Sequence, residues 1–171
     1  VYLGDLIKHT SYSQIYDEHV FNFSVESVRN VFNEFDLKLF DVEKINVQGG
    51  SIRCYLGPVG LKDSSSRLAE ILNEERCTGL NDPETMHEFR SRCEISRDSL
   101  VTLVKDLRNS NKQVVGYGAA TKSTIMLNYT KLGQHDLDYI VDSTPSKHGK
   151  YSPGMHIPVV SPSHFRSHYP A

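Results

Sequence analysis

Tyr16, Glu18 and His19 fall within four positions of one another in the stretch SYSQIYDEHVFNFS, residues 11–24. These side-chain types suit proton abstraction next to a carbonyl. A histidine accepts a proton near neutrality because imidazole ordinarily titrates at about 6.5. A nearby glutamate orients or charge-stabilises it, and a tyrosine hydroxyl donates to a developing oxyanion. On an extended chain Tyr16 and Glu18 share one face and His19 takes the other, whereas a turn lets all three converge. An ordinary polar turn with one satisfied histidine is the competing reading, and the weightier one on residue pattern alone.

Two further stretches carry chemistry of a different kind. In GYGAATKST, residues 116–124, Gly116, Tyr117 and Gly118 follow a predicted strand and lead into a predicted helix. Free N–H groups and the positive end of a helix then meet at one spot, which suits a phosphate. Lys122, Ser123 and Thr124 add a charge and two hydroxyls. Thr121 replaces the third glycine of G-x-G-x-x-G, and the lysine is misplaced for G-x-x-x-x-G-K, so a plain strand-to-helix turn stands equal with phosphate binding. The second stretch, DSTPSKHGKYSPGMHIP, begins with Asp142 at a predicted strand end, where α/β folds place ligand contacts. Its Lys147, His148, Lys150, Tyr151 and His156 form a cationic, proline-stiffened loop suited to an anionic ligand. A solvated surface loop is the alternative there.

No metal site is expected. The three cysteines, Cys54, Cys77 and Cys93, are widely spaced and form no C-x-x-C pair, and no histidine pair carries a metalloprotease-like signature.

The elements that must position these residues follow from periodicity. Residues 1–23 read as an irregular polar–aromatic lead-in. Ser24 then caps a helix with Val25, Val28, Val31, Phe32 and Phe35 at helical spacing. DLKLFDVEKINV and SIRCYL, separated by Gly49-Gly50, predict a β-hairpin with Ile52, Cys54 and Leu56 on one face. A helix through Leu68, Ile71 and Leu72 comes next. A long one starts at Asp82-Pro83 and runs through Met86, Phe89, Cys93, Leu100, Leu103, Val104 and Leu107, with a possible break near Ser96. Beyond Lys112 the pattern alternates: strand QVVGYG, a helix ending near Gly133, then strands LDYIVD and HIPVVS. That order predicts a parallel α/β layer.

Composition narrows the class. Apolar residues make up 38% and charged residues 23% of 171 positions, within the range of a packed core. The formal net charge of −2 gives no reason to expect a nucleic-acid surface. No window is apolar enough to predict a membrane span, so a cytoplasmic protein is expected. The start at Val1 and the stop at SHYPA read as cuts through a longer protein.

Four segments in order, YSQIYDEHVFNFS, FDVEKINVQGGSIRCYL, QVVGYGAATKSTIMLNY and YIVDSTPSKHGKYSPGMHIPVVSP, resemble the sugar C-methyltransferase family over nearly the whole chain. The fold class this implies is α/β. Residues 1–57 would be the C-terminal part of an S-adenosylmethionine-dependent Rossmann-type methyltransferase domain. Residues 58–171 would be a Rossmann-like parallel α/β domain that binds the nucleotide sugar, short of a last strand or two. The family's activity is methylation of carbon 3 of a nucleotide-linked 4-keto-deoxysugar.

By this resemblance His19 is the base that removes the carbon-3 proton, with Glu18 and Tyr16 assisting. The enolate then attacks the methyl group of S-adenosylmethionine, the cofactor, whose glycine-rich motif is not in this sequence. The partner is a nucleotide-diphosphate sugar, dTDP-linked. Its binding falls to Gly116, Tyr117, Gly118, Lys122, Ser123, Thr124, Asp142, Tyr151 and His156. Gln48-Gly49-Gly50-Ser51 matches a turn near the family's active cleft, and a purely structural hairpin stands beside that role.

The chain alone is expected to be inactive. Two other readings differ in kind: a non-catalytic nucleotide-sugar-binding module, and a nicotinamide-dependent oxidoreductase suggested by the G-x-G turn.

Overall fold

The computed structural model describes residues 1–47 and 49–168. Gln48 and the chain end therefore lie outside the described residues. The chain divides into two compact units, Val1–Arg92 and Cys93 onward. Position 57/58 lies within the first.

In the first unit, helix α1 (Leu3–Lys8) and a 3-10 turn (Tyr12–Gln14) occupy what sequence suggested was irregular. Leu6 and Ile7 of α1 bury against Leu80, and Met86 and Phe89 pack onto this cluster. Helix α2 (Val25–Asn33) starts where the Ser24 hydroxyl oxygen accepts the Ser27 N–H at 3.0 Å. A second cap comes from far along the chain. The buried Glu75 carboxylate accepts the Val25 N–H at 2.6 Å and the Glu26 N–H at 3.0 Å. A negative group at a helix N-terminus satisfies open amides and complements the dipole.

Strands β1 (Leu37–Ile45) and β2 (Ser51–Pro58) form the expected antiparallel hairpin. The register shifts between Leu39 and Asp41. Strict alternation would put Leu39 and Val42 on opposite faces, and the irregularity at Phe40 turns both inward. They join Tyr2, Val25, Val28 and, from helix α3 (Ser66–Cys77), Leu68, Ile71 and Leu72 in one core. Ile52, Cys54 and Leu56 pack on it from β2, as predicted. Each fully buried aliphatic side chain stabilises by about 1.5–3 kcal/mol. Val31 and Phe35 remain exposed, so the core-facing stripe of α2 is narrower than its spacing implied.

Helix α4 (Pro83–Asn109) runs unbroken past Ser96. Its Leu100, Val101 and Val104 belong to the second unit's core, while Leu103 is exposed. That core also takes Leu127, Leu132, Leu137, Ile140 and Ile157. The second unit holds a three-stranded parallel sheet in the order β3 (Gly116–Tyr117), β4 (Ile140–Val141), β5 (Val159–Val160). Each strand is only two residues long, shorter than the apolar runs suggested. Helix α5 (Thr121–Thr130) connects β3 to β4 and stops at Lys131, which adopts a left-handed conformation, before the expected Gly133. Helix α6 (Pro162–Ser167) follows β5 and is capped by the Ser161 hydroxyl. The architecture is mixed α/β with a parallel sheet, as expected. Among the described residues no helix is long and apolar enough to cross a membrane.

Candidate functional site

The first cluster forms in a turn. The His19 backbone N–H donates to the Tyr16 carbonyl at 2.8 Å, which folds the chain back and brings the two rings together, tilted by 35° with centroids 4.2 Å apart. His19 Nδ1 lies 2.8 Å from the Gln14 carbonyl oxygen. A carbonyl only accepts, so Nδ1 carries the proton in the neutral ring and Nε2 presents its lone pair. The Tyr16 hydroxyl donates to that Nε2 at 3.2 Å. The pair is therefore a base with its tautomer fixed and a hydroxyl donor beside the accepting atom. Both side chains are half-buried. Glu18 is exposed and stands apart from this hydrogen-bonded pair, as does Asp17. The turn thus unites two of the three residues that sequence spacing grouped.

The second cluster centres on Asp142, which directly follows β4 and is buried. Its Oδ1 accepts the Thr144 N–H at 2.8 Å. Its Oδ2 accepts the Ala119 N–H at 2.8 Å and Lys147 Nζ at 3.1 Å. Lys147 Nζ also donates to the Ala119 carbonyl at 2.8 Å, and His148 Nε2–H donates to the Asp142 carbonyl at 2.7 Å. Asp142 and Lys147 thereby hold both sides of Ala119 and tie the turn after β3 to the loop after β4. The Thr144 amide foremost, with Ala119 and Lys147 adding to it and burial opposing, holds the Asp142 carboxyl far below the usual carboxylate range. Gly118, at φ +93°, makes the bend that brings Ala119 to this carboxylate, a conformation that favours glycine.

Beside this clamp lies a cavity of about 360 Å³. The start of α5 lines one side with Ala120, Thr121, Ser123 and Thr124, and the loop supplies Lys147, Lys150 and Tyr151. The α5 N-cap, Ala120, has no side chain able to satisfy the first-turn amides. The Ser123 hydroxyl donates to the Ala120 carbonyl at 2.6 Å and keeps its lone pairs available. The lining does not include Gly116, Tyr117, Gly118, Lys122, Asp142 or His156. Tyr117 is 84% exposed, and His156 sits on the exposed loop at φ +54°.

Amide donors, hydroxyls and two ammonium groups around one space suit an anion. S-adenosylmethionine, expected from the resemblance, carries a sulfonium cation, for which the lining of this cavity offers no carboxylate. A second cavity, of about 330 Å³, is lined by Tyr2, Asp5, Lys8, Glu74 and Thr85 among others, and includes none of the candidate residues. Among the described residues no group of three or more His, Cys, Asp or Glu side chains could hold a metal ion.

Residue types alone missed Gln14, because its contribution is a backbone oxygen. Lys147 and Lys150 were visible only as charge in a loop after a strand; Asp142 holds Lys147 at the cavity, and Lys150 lines it from the exposed part of the loop.

Residues 46–171 match the family described as C-methyltransferase C-terminal domain. Over 170 residues, 99% of its length, the chain is 35% identical to the C-methyltransferase NovU of Streptomyces niveus. It spans 40% of that protein's length.

Proposed function

The chain belongs to the C-methyltransferase family, and from that premise we propose that the complete protein methylates carbon 3 of a nucleotide-linked 4-keto-deoxysugar. Residues 1–57 are assigned to the methyltransferase part and residues 58–171 to the domain that holds a dTDP-linked sugar. The methyl donor is S-adenosylmethionine, and no residue of this chain is assigned to it.

The observation that carries this reading is the fixed ring of His19. With Nδ1–H bonded to the Gln14 carbonyl, Nε2 is the only ring atom able to take a proton. A proton alpha to a ketone becomes removable when a positioned base meets it and the enolate oxygen is stabilised. Tyr16 O–H, which donates to Nε2 in the free chain, turns to the ketone oxygen when substrate enters. This frees Nε2 for the carbon-bound proton and stabilises the developing enolate. Glu18, exposed on the same turn, has only an assisting part in this scheme. The resulting carbanion is the nucleophile that methyl transfer requires. In the second unit, the amides at the start of α5 and Lys147, Lys150 and Tyr151 hold the diphosphate. Asp142 keeps that wall in place, and Gly116–Gly118 shape the turn.

The test is solvent deuterium exchange at carbon 3 of the 4-keto sugar nucleotide, measured with the complete protein and no methyl donor. Exchange in the wild type and its loss in His19→Asn support the proposal. Equal exchange in both removes His19 from the reaction.

A further inference from the structure

Which nitrogen of a histidine serves as the base is set by the bond that the other nitrogen makes. For His19 that bond runs to the Gln14 carbonyl, five residues back. The carbonyl must itself be held, and the local turn does only part of this. Gln14 closes the 3-10 turn, its N–H donating to the Ser11 carbonyl at 2.9 Å, and the residue is 4% exposed.

The tip of the β1–β2 hairpin, 35 residues further on in the sequence, meets the Gln14 side chain. Gly49 stands against the Gln14 side chain so closely that a β-carbon on Gly49 would lie 3.1 Å from Nε2. Gly49 is at φ +81°, so the backbone there also favours glycine. Its neighbour Gly50 abuts Asp5 in the same manner, and its carbonyl accepts the Tyr2 N–H at 3.5 Å. The hairpin tip therefore rests on the α1 and 3-10 segment through two residues without side chains.

We propose that Gln14 is a positioning residue for His19 and that Gly49 is its backstop. The hairpin tip fixes the Gln14 side chain, this fixes the Gln14 carbonyl, and the carbonyl holds the proton on Nδ1. Nε2 is left as the accepting atom. The inference rests on His19 being the base, but its geometric content is measured without turnover.

The experiment is a long-range proton–nitrogen correlation spectrum of the nitrogen-labelled chain at about pH 8.5, two units above the ordinary imidazole value. The His19 signals are assigned by their disappearance in His19→Asn. In the wild type the Nδ1–H tautomer should prevail by roughly tenfold or more, the factor one ordinary hydrogen bond produces. Gln14→Ala should turn this into a mixture while the rest of the spectrum stays dispersed, and Gly49→Ala should do the same.

Should Gly49→Ala fail to fold, Gln14→Ala and the wild type decide. A wild-type ring protonated on Nε2, or an even mixture, overturns the proposal. So does a folded Gln14→Ala chain with the wild-type ratio. Failure of the base assignment is a separate result: His19→Asn would leave deuterium exchange unchanged in the complete protein while the tautomer spectrum stayed as expected.

Discussion

The Tyr16–His19 turn and the Asp142 clamp are both small polar clusters, and they are built on opposite plans. At His19 one nitrogen is bound to a backbone carbonyl and the other, among the described residues, faces a rotatable hydroxyl. At Asp142 both carboxylate oxygens are bound by backbone amides and an ammonium group. A group that must gain and lose a proton needs one atom whose partner can be exchanged. A group that must hold two loops together needs every partner fixed, and its proton affinity falls as a result. The contrast separates a candidate for chemistry from a candidate for scaffolding, where sequence alone offered a candidate base at His19 and a candidate ligand contact at Asp142.

The sharpest way to break this contrast is to exchange the effects. His19→Asn should lower carbon-3 proton exchange by the complete protein about 10²–10⁴-fold. Its urea midpoint should move by less than that of a core substitution, since the ring is only half-buried. A large stability loss with intact exchange would reverse the two roles.

Next in size, Asp142→Ala removes the acceptor for the Ala119 and Thr144 amides and strands Lys147. It should cost about 3 kcal/mol, read by urea unfolding of the chain. A change below about 0.5 kcal/mol, the level of an ordinary surface substitution, would show that the clamp holds nothing.

The acid limb of stability sharpens the same point. Arg67 first and then Ser65 lower the Asp41 carboxyl to about 2, and the Asp142 carboxyl is lowered further. Both folded-state values lie below the unfolded value of about 3.9. Their stabilisation is therefore complete above that pH and is lost as pH falls toward the folded values. Denaturation midpoints stepped from about pH 5 to pH 2 should decline, and Asp142→Asn should flatten part of that decline. An unchanged slope in the variant would mean that the Asp142 interactions persist in the unfolded chain.

The smallest effect belongs to a residue with only a local duty. Ser24→Ala removes one cap from α2 and should cost about 1 kcal/mol by thermal or urea unfolding. The Glu75 carboxylate continues to hold the Val25 and Glu26 amides. A larger loss would mean that the two caps act together.

These effects follow how the contacts are distributed along the chain. Ser24 was readable as a cap because its partner, Ser27, is three residues away and the bond depends on local backbone geometry alone. Helices α3 and α4 were readable because periodicity marks a buried stripe. The hairpin was readable because Gly49-Gly50 divides two β-prone runs. The short helix α1 was not, since Leu6 and Ile7 supply too little pattern to register until Leu80 covers them. The Glu75 cap was not readable either: its partners lie 49 and 50 residues away, and no spacing rule reaches that far.

What the sequence by itself determined is the set of chemical types and the local elements: a histidine beside a tyrosine, a glycine turn between strand and helix, a cationic loop, and a parallel α/β order. These depend on neighbours within a few positions. The tertiary structure decided which atoms of those residues are available. It placed the Gln14 carbonyl against Nδ1 of His19, so that Nε2 became the accepting nitrogen. It brought Ala119 to Asp142 across 23 residues, so that this carboxylate became a tie. The physical reason is that hydrogen-bond saturation, unlike residue type, is set by partners that chain folding brings from a distance.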